Sequence, residues 1–187
     1  HMKTKSLHSL IAVAMLCATN TWGKTWTKGN VTITNSGSTL IVSPVAETDG
    51  IMADYEDFDG SASASKKRPS DWSFGITNIN IEEGVTAIGK YAFQGNKNIT
   101  SVHIPSSLDS INSDAFLGCT GMTKIYYAGS PSDWADITFS NQTAHPFGAL
   151  TSSQEYFFYG ETSTRTMTIV LTPTITEIKP YAFQRGW

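Results

Sequence analysis

The residues able to do chemistry in this chain are few and scattered. The densest group is the acidic stretch Asp54-Tyr55-Glu56-Asp57-Phe58-Asp59-Gly60, and hard cations such as calcium take several oxygen ligands. Its spacing fails the helix-loop-helix calcium pattern. With Gly60 as the turn glycine, Tyr55 falls where the first ligand belongs and Lys66 where the closing glutamate belongs. The stretch reads as a solvated acidic loop, and no metal site is assigned. The histidines do not cluster: His8 lies within the first 23 residues, read below as an export signal, His103 at an outward strand position, and His145 beside Pro146, so surface placement is expected for the last two. No nucleophile elbow, phosphate-binding glycine loop or paired-histidine helix is present. The expectation is a protein without catalytic residues or cofactor.

The elements that would position any binding residues are set by an internal repeat. Segments beginning at Ile76, Ile99 and Met122 superimpose at a spacing of 23 residues. Ile76-Thr77-Asn78-Ile79-Asn80-Ile81 aligns with Ile99-Thr100-Ser101-Val102-His103-Ile104, then Val85 with Leu108, Ile88 with Ile111, Ala92-Phe93 with Ala115-Phe116, and Gly95 with Gly118. A unit this short cannot bury a core alone, so the units must stack as a solenoid. The alternation at Ile79 and Ile81, or Val102 and Ile104, has the period of two of a short strand with one buried face. One strand per coil gives a parallel sheet. The Ala-Phe pair suits a short helical turn on the opposite wall, with the phenylalanines stacked in a ladder. Cys119, in the corner of a coil, reads as a buried small hydrophobe.

The repeat returns as Ile169, Leu171, Ile175, Ile178 and Ala182-Phe183. From Ala115 to Ala182 is 67 residues, two short of three periods, so coils without the Ala-Phe signature lie between. After the strand Ile125-Tyr126-Tyr127, Ser130-Pro131-Ser132-Asp133-Trp134 offers a serine cap, a proline in the first turn and an early acid, which predicts a short helix carrying Trp134 inward. Tyr156-Phe157-Phe158-Tyr159 is the next expected strand.

The string IEEGVTAIGKYAF, Ile81 to Phe93, resembles the BspA-type leucine-rich repeats of bacterial surface proteins, and SVHIPSSLDSINSDAFLGCTGMTKI, Ser101 to Ile125, continues the pattern. The Tyr126 to Trp134 segment is similar to the interrupted coil of those proteins. The resemblance implies an α/β-type leucine-rich-repeat solenoid, on secreted or surface-attached proteins that often bind host proteins or mediate adhesion.

Three regions are expected. Residues 1–23 read as an export signal, with His1 a cloning scar, Lys3 and Lys5 a basic start, and Leu10 to Ala18 an apolar stretch too short to span a bilayer. Leu16 before Cys17 is too bulky for a lipid-anchor cleavage site. Residues 24–75 are expected to form an N-terminal cap, in which Val31-Thr32-Ile33 and Leu40-Ile41-Val42 flank the turn Asn35 to Ser38 as a β-hairpin. A mobile loop is expected from Gly60 to Lys67. Residues 76–187 form the solenoid, interrupted around 128–165, and either the chain is a fragment there or Trp187 closes the core. The formal net charge of −3 argues against nucleic acid, and Lys66-Lys67-Arg68 is the only basic cluster.

A binding face, if there is one, is the outward row of the sheet: Asn78, Asn80, Ser101, His103, Lys124 and Tyr126, continuing to Thr168 and Val170. Every half-buried sheet needs polar residues outside, so a merely solvated face stays open beside it. Two function classes remain: an exported binding module for a host or matrix protein or a glycan, and a structural unit that self-associates as a homo-oligomer through its C-terminal coil.

Overall fold

A computed structural model describes residues 23–56, 69, 72, 75–147, the backbone of 155–158, and 178–182. The expected export signal through Trp22, the expected loop from Gly60 to Lys67, the returning repeat at Ile169, Leu171 and Ile175, and Phe183 to Trp187 lie outside the described residues, as do Thr168 and Val170.

Strands β1 (Thr25–Lys28), β2 (Val31–Ser36), β3 (Thr39–Pro44), β4 (Asn78–Ile81), β6 (Ser101–Ile104), β8 (Lys124–Tyr127) and β10 (Glu155–Phe158) form one seven-stranded sheet in that order. β1, β2 and β3 pair antiparallel, and from β3 onward every pairing is parallel. The hairpin turn between β2 and β3 passes through Gly37 at φ 61°, a left-handed conformation that glycine adopts without a Cβ penalty. Ile79 pairs with Val102 and Val102 with Ile125, the residues that the repeat sets side by side. Threonines bind the same seam, since the Thr100 hydroxyl donates to the Thr77 carbonyl and the Thr123 hydroxyl to that of Thr100, both at 3.2 Å and 23 residues apart.

The opposite wall departs from expectation. Three two-residue strands, β5 (Ala87–Ile88), β7 (Ser110–Ile111) and β9 (Thr138–Phe139), form a second parallel sheet. The Ala-Phe stretches are chains of turns rather than helical turns. Their backbone groups are spent between coils: the N–H of Phe93 donates to the Ala115 carbonyl at 2.8 Å and that of Gly95 to Leu117 at 2.7 Å. A helix would have kept those bonds within one coil. At the residue preceding each Ala-Phe or its equivalent, Tyr91, Asp114 and Tyr181 hold φ of 57°, 61° and 69°, and each non-glycine residue so placed stores strain.

Between the sheets runs one apolar column. The rings of Phe93 and Phe116 lie 5.2 Å apart, and Trp72 stands 6.3 Å from Phe93 as a further rung towards the N-terminus. Trp26 and Tyr55 meet Trp72 edge-on, each at 5.7 Å. Phe93, Phe116 and Trp72 are buried, and truncating a fully buried ring of this size to alanine costs roughly 3 to 5 kcal/mol. Cys119 is buried, with its Sγ 3.1 Å from the Phe93 carbonyl oxygen.

The interrupted coil holds a helix, α1 (Pro131–Asp136), with the Ser130 and Asp133 side chains and backbones bonding reciprocally at its start. Trp134 is buried. The detour lengthens the coil: Ser140 and Asn112, hydrogen-bonded across the second sheet, are 28 residues apart rather than the 23 that separate Thr100 from Thr77. His145 corrects the expected surface placement, being wholly buried. The 3-10 turn Gln142–Ala144, capped by Asn141, leads the chain inward. There the imidazole lies 4.8 Å from the Phe139 ring, 5.7 Å from Phe147 and 5.9 Å from Trp134. Its Nδ1 accepts from the Phe147 N–H at 3.0 Å. Burial drives its pKa down to about 3, against a smaller opposing effect of its bond to the Ala182 backbone.

Candidate interaction face

Strand geometry sorts the outward residues into two rows, because side chains alternate and parallel register stacks like on like. Thr39, Asn78, Ser101, Lys124 and Glu155 share one register line. Ile41, Asn80, His103, Tyr126 and Phe157 share the other. All six residues expected on the sheet face therefore fall into two lines of three across β4, β6 and β8. Thr39 and Ile41 from the hairpin, and the positions of Glu155 and Phe157 on β10, extend those lines, and the repeat alone did not reveal them.

The rows differ in character. In the first, Ser101 is a correction: it is 7 % exposed, covered rather than displayed, and its hydroxyl donates to Asn78 Oδ1 at 2.6 Å. A short side chain between longer neighbours is shielded by them. Asn78 Nδ2 in turn donates to the Thr77 hydroxyl oxygen at 3.1 Å, while Lys124 is exposed. In the second row, His103 is exposed and Tyr126 half-buried, and their rings stack with centroids 4.4 Å apart and planes 15° from parallel. Partial desolvation lowers the His103 pKa, which favours the uncharged ring in the stack.

Exposed carboxylates lie on the segments that follow the strands of the large sheet. Glu82 and Glu83 follow β4, Asp109 follows β6, and Asp133 and Asp136 lie on α1 after β8, all exposed. Glu83 Oε1 accepts from the Ser106 N–H at 2.9 Å and from its hydroxyl at 3.1 Å. Tyr127, buried at the end of β8, has its phenol held above the ordinary range by burial first, then by the negative charges of Asp133, Glu83, Asp109 and Asp136.

Other chemistry-bearing residues are occupied in structure. Asp54 of the acidic stretch bonds the Lys90 N–H at 2.7 Å and Asn112 Nδ2 at 3.5 Å, tying the N-terminal region to the coils. Among the described residues no group of three or more His, Cys, Asp and Glu is placed to hold a metal. No described helix is long and apolar enough to cross a membrane. The face presents hydrogen-bonding amides and a stacked aromatic pair.

A family model described as the BspA type leucine-rich repeat region matches residues 71–186, in six copies. No curated protein and no solved structure matches the chain.

Proposed function

The chain belongs to the BspA-type leucine-rich repeat family, and from that premise we propose that it is an exported, non-enzymatic binding module at the cell surface or released from it. It docks a host or matrix protein on the outer rows of the seven-stranded sheet. In this reading residues 24–75 cap the solenoid, residues 76–187 are its coils of about 23 residues, and Asn78, Asn80, His103, Lys124 and Tyr126 make the contacts. The basic start and short apolar stretch of residues 1–23 support export.

The observation that carries the proposal is the His103–Tyr126 stack, 4.4 Å between centroids, on the outside of the sheet. Aromatic residues at a protein surface are the commonest energetic anchors of protein interfaces. The stack also favours protein over glycan, since rings laid face to face present edges and heteroatoms outward rather than the open faces on which a sugar stacks. An array of matrix proteins and glycans probed with the wild type and with His103→Ala/Tyr126→Ala tests it. Protein spots that lose signal with the double variant support the reading; equal binding by both proteins removes the sheet face.

A second reading, self-association at the C-terminal coil, is favoured by the exposure of Ile178 and Tyr181 at 48 % and 45 %. Mass measured against concentration separates the two: a monomer at high concentration excludes self-association, and a dimer broken by Ile178→Glu establishes it.

A further inference from the structure

The two asparagines of β4 are used differently. Asn78 spends its amide inside the sheet, donating to the Thr77 hydroxyl and accepting from that of Ser101. Asn80, two residues on and therefore on the same face, is half-buried, yet its amide bonds none of the described residues. A side-chain amide fixed on a sheet in this way holds a donor and an acceptor ready for another chain. Its register neighbours are Ile41 of β3 on one side and His103 of β6 on the other, and the stacked Tyr126 ring backs His103. Ile41 is an apolar side chain left half-buried on the outer side of a strand whose Leu40 and Val42 fill the column. Three neighbouring strands thus present an apolar, an amide and an aromatic group in one row.

Spacing selects the shape of chain that fits this row. Neighbouring strands lie about 4.8 Å apart, so Ile41 and His103, two strands apart, are separated by about 9.6 Å along the row. A β-strand laid across it would return a side chain to the same side about every 6.6 Å, and neighbours on one face of a helix stand about 5 to 6 Å apart. A polyproline II segment returns one every three residues, about 9.3 Å, and its carbonyls have no internal partners. We infer that the outer face takes a polyproline II segment of a partner protein, with apolar side chains three residues apart against Ile41 and against the His103–Tyr126 pair, and a carbonyl between them accepting from Asn80 Nδ2. This rests on the protein-binding reading and names the conformation of the partner. A segment already held in that conformation loses little entropy when it docks.

Fluorescence anisotropy tests this with a labelled proline-rich peptide carrying two leucines three residues apart, and with an isomer of the same composition whose leucines are adjacent. Wild type is expected to bind the first at least about tenfold more tightly, because the isomer forfeits one leucine contact. Ile41→Thr keeps the β-branched shape and removes apolar surface, and Asn80→Ala removes the donor; each is expected to weaken binding about fivefold. Lys97→Ala, at an exposed turn outside the sheet, is expected to change nothing. Thermal melts of each variant establish that it is folded. No binding of the proline-rich peptide, equal binding of its isomer, an unchanged affinity in Ile41→Thr or Asn80→Ala, or an equal loss with Lys97→Ala overturns the inference. The array of matrix proteins tells that failure from a failure of the protein-binding reading: spots that still lose signal with His103→Ala/Tyr126→Ala leave the face standing, and equal binding by wild type and double variant removes the face as well.

Discussion

Trp134 and His145 meet at a single acceptor, the backbone carbonyl of Ala182: the indole Nε1–H donates to it, and the imidazole bonds the same residue's backbone. Since His145 Nδ1 accepts from the Phe147 N–H, the ring proton sits on Nε2, the nitrogen left to donate. The two residues tie the interrupted coil to the returning repeat, and the bond that Nδ1 accepts from Phe147 exists only while His145 is neutral.

That arrangement makes stability fall in acid. The His145 pKa is about 3 in the fold and 6.5 when exposed, so between those values the unfolded chain takes up the proton first. Its contribution is complete above pH 6.5 and is lost as pH falls towards 3, at up to about 1.4 kcal/mol per pH unit. Urea unfolding of wild type and His145→Gln checks this: the wild type's excess pH dependence between pH 7.5 and 4.5 is expected to disappear in the variant.

Asp114 holds a left-handed corner at φ 61° and accepts side-chain bonds from Asn141 Nδ2, at 3.1 Å, and from the Thr143 hydroxyl. Asp114→Ala keeps the strain and discards the bonds, so it is expected to cost roughly 2 to 4 kcal/mol. Asp114→Asn tolerates the left-handed backbone and retains an acceptor oxygen. It is expected to stay within about 1 kcal/mol of wild type in the same denaturation assay.

Gly50 sits at φ 66°, where a Cβ would stand 1.8 Å from the Gly84 carbonyl oxygen. This is a close approach of the N-terminal region to the first coil, so Gly50→Ala forces the two apart. The expected loss is at least about 1 to 3 kcal/mol from the backbone conformation alone. Hydrogen exchange should speed up in residues 30 to 53 before it does in β8.

At α1, Ser130→Ala removes the hydroxyl that accepts from the Asp133 N–H at 3.2 Å. A loss of about 1 kcal/mol is expected. Ser130→Thr keeps a hydroxyl that both accepts from that N–H and donates to Asp133 Oδ2, as Ser130 does at 2.8 Å, and should melt within a degree or two of wild type in thermal denaturation.

Period-two alternation made β4, β6 and β8 legible, because Ile79, Val102 and Ile125 each sit between polar neighbours and recur in step. The second sheet was not legible, since a two-residue strand such as Ala87–Ile88 is too short to display any period. Trp72 escaped notice as a rung because it lies outside the spacing that links Phe93 to Phe116. His145 was misplaced for a different reason. Its sequence neighbour Pro146 suggests a surface turn, whereas its burial is decided by Trp134 and Phe139, which approach it only through the fold. On the candidate face, the residues of β4, β6 and β8 were readable from alternation, but the stacking of His103 on Tyr126 depended on strand register. The covering of Ser101 depended on the size of its neighbours.

Every claim for the outer face presupposes that successive coils share one interior, and the Phe93–Phe116 contact is where they do. A double-mutant cycle with Phe93→Leu and Phe116→Leu, followed by urea unfolding, measures that contact directly. Coupling of at least about 0.5 kcal/mol between the two sites is the expected result. Losses that add to within about 0.3 kcal/mol would mean that the rings do not touch, contradicting the stacked column and the face built upon it.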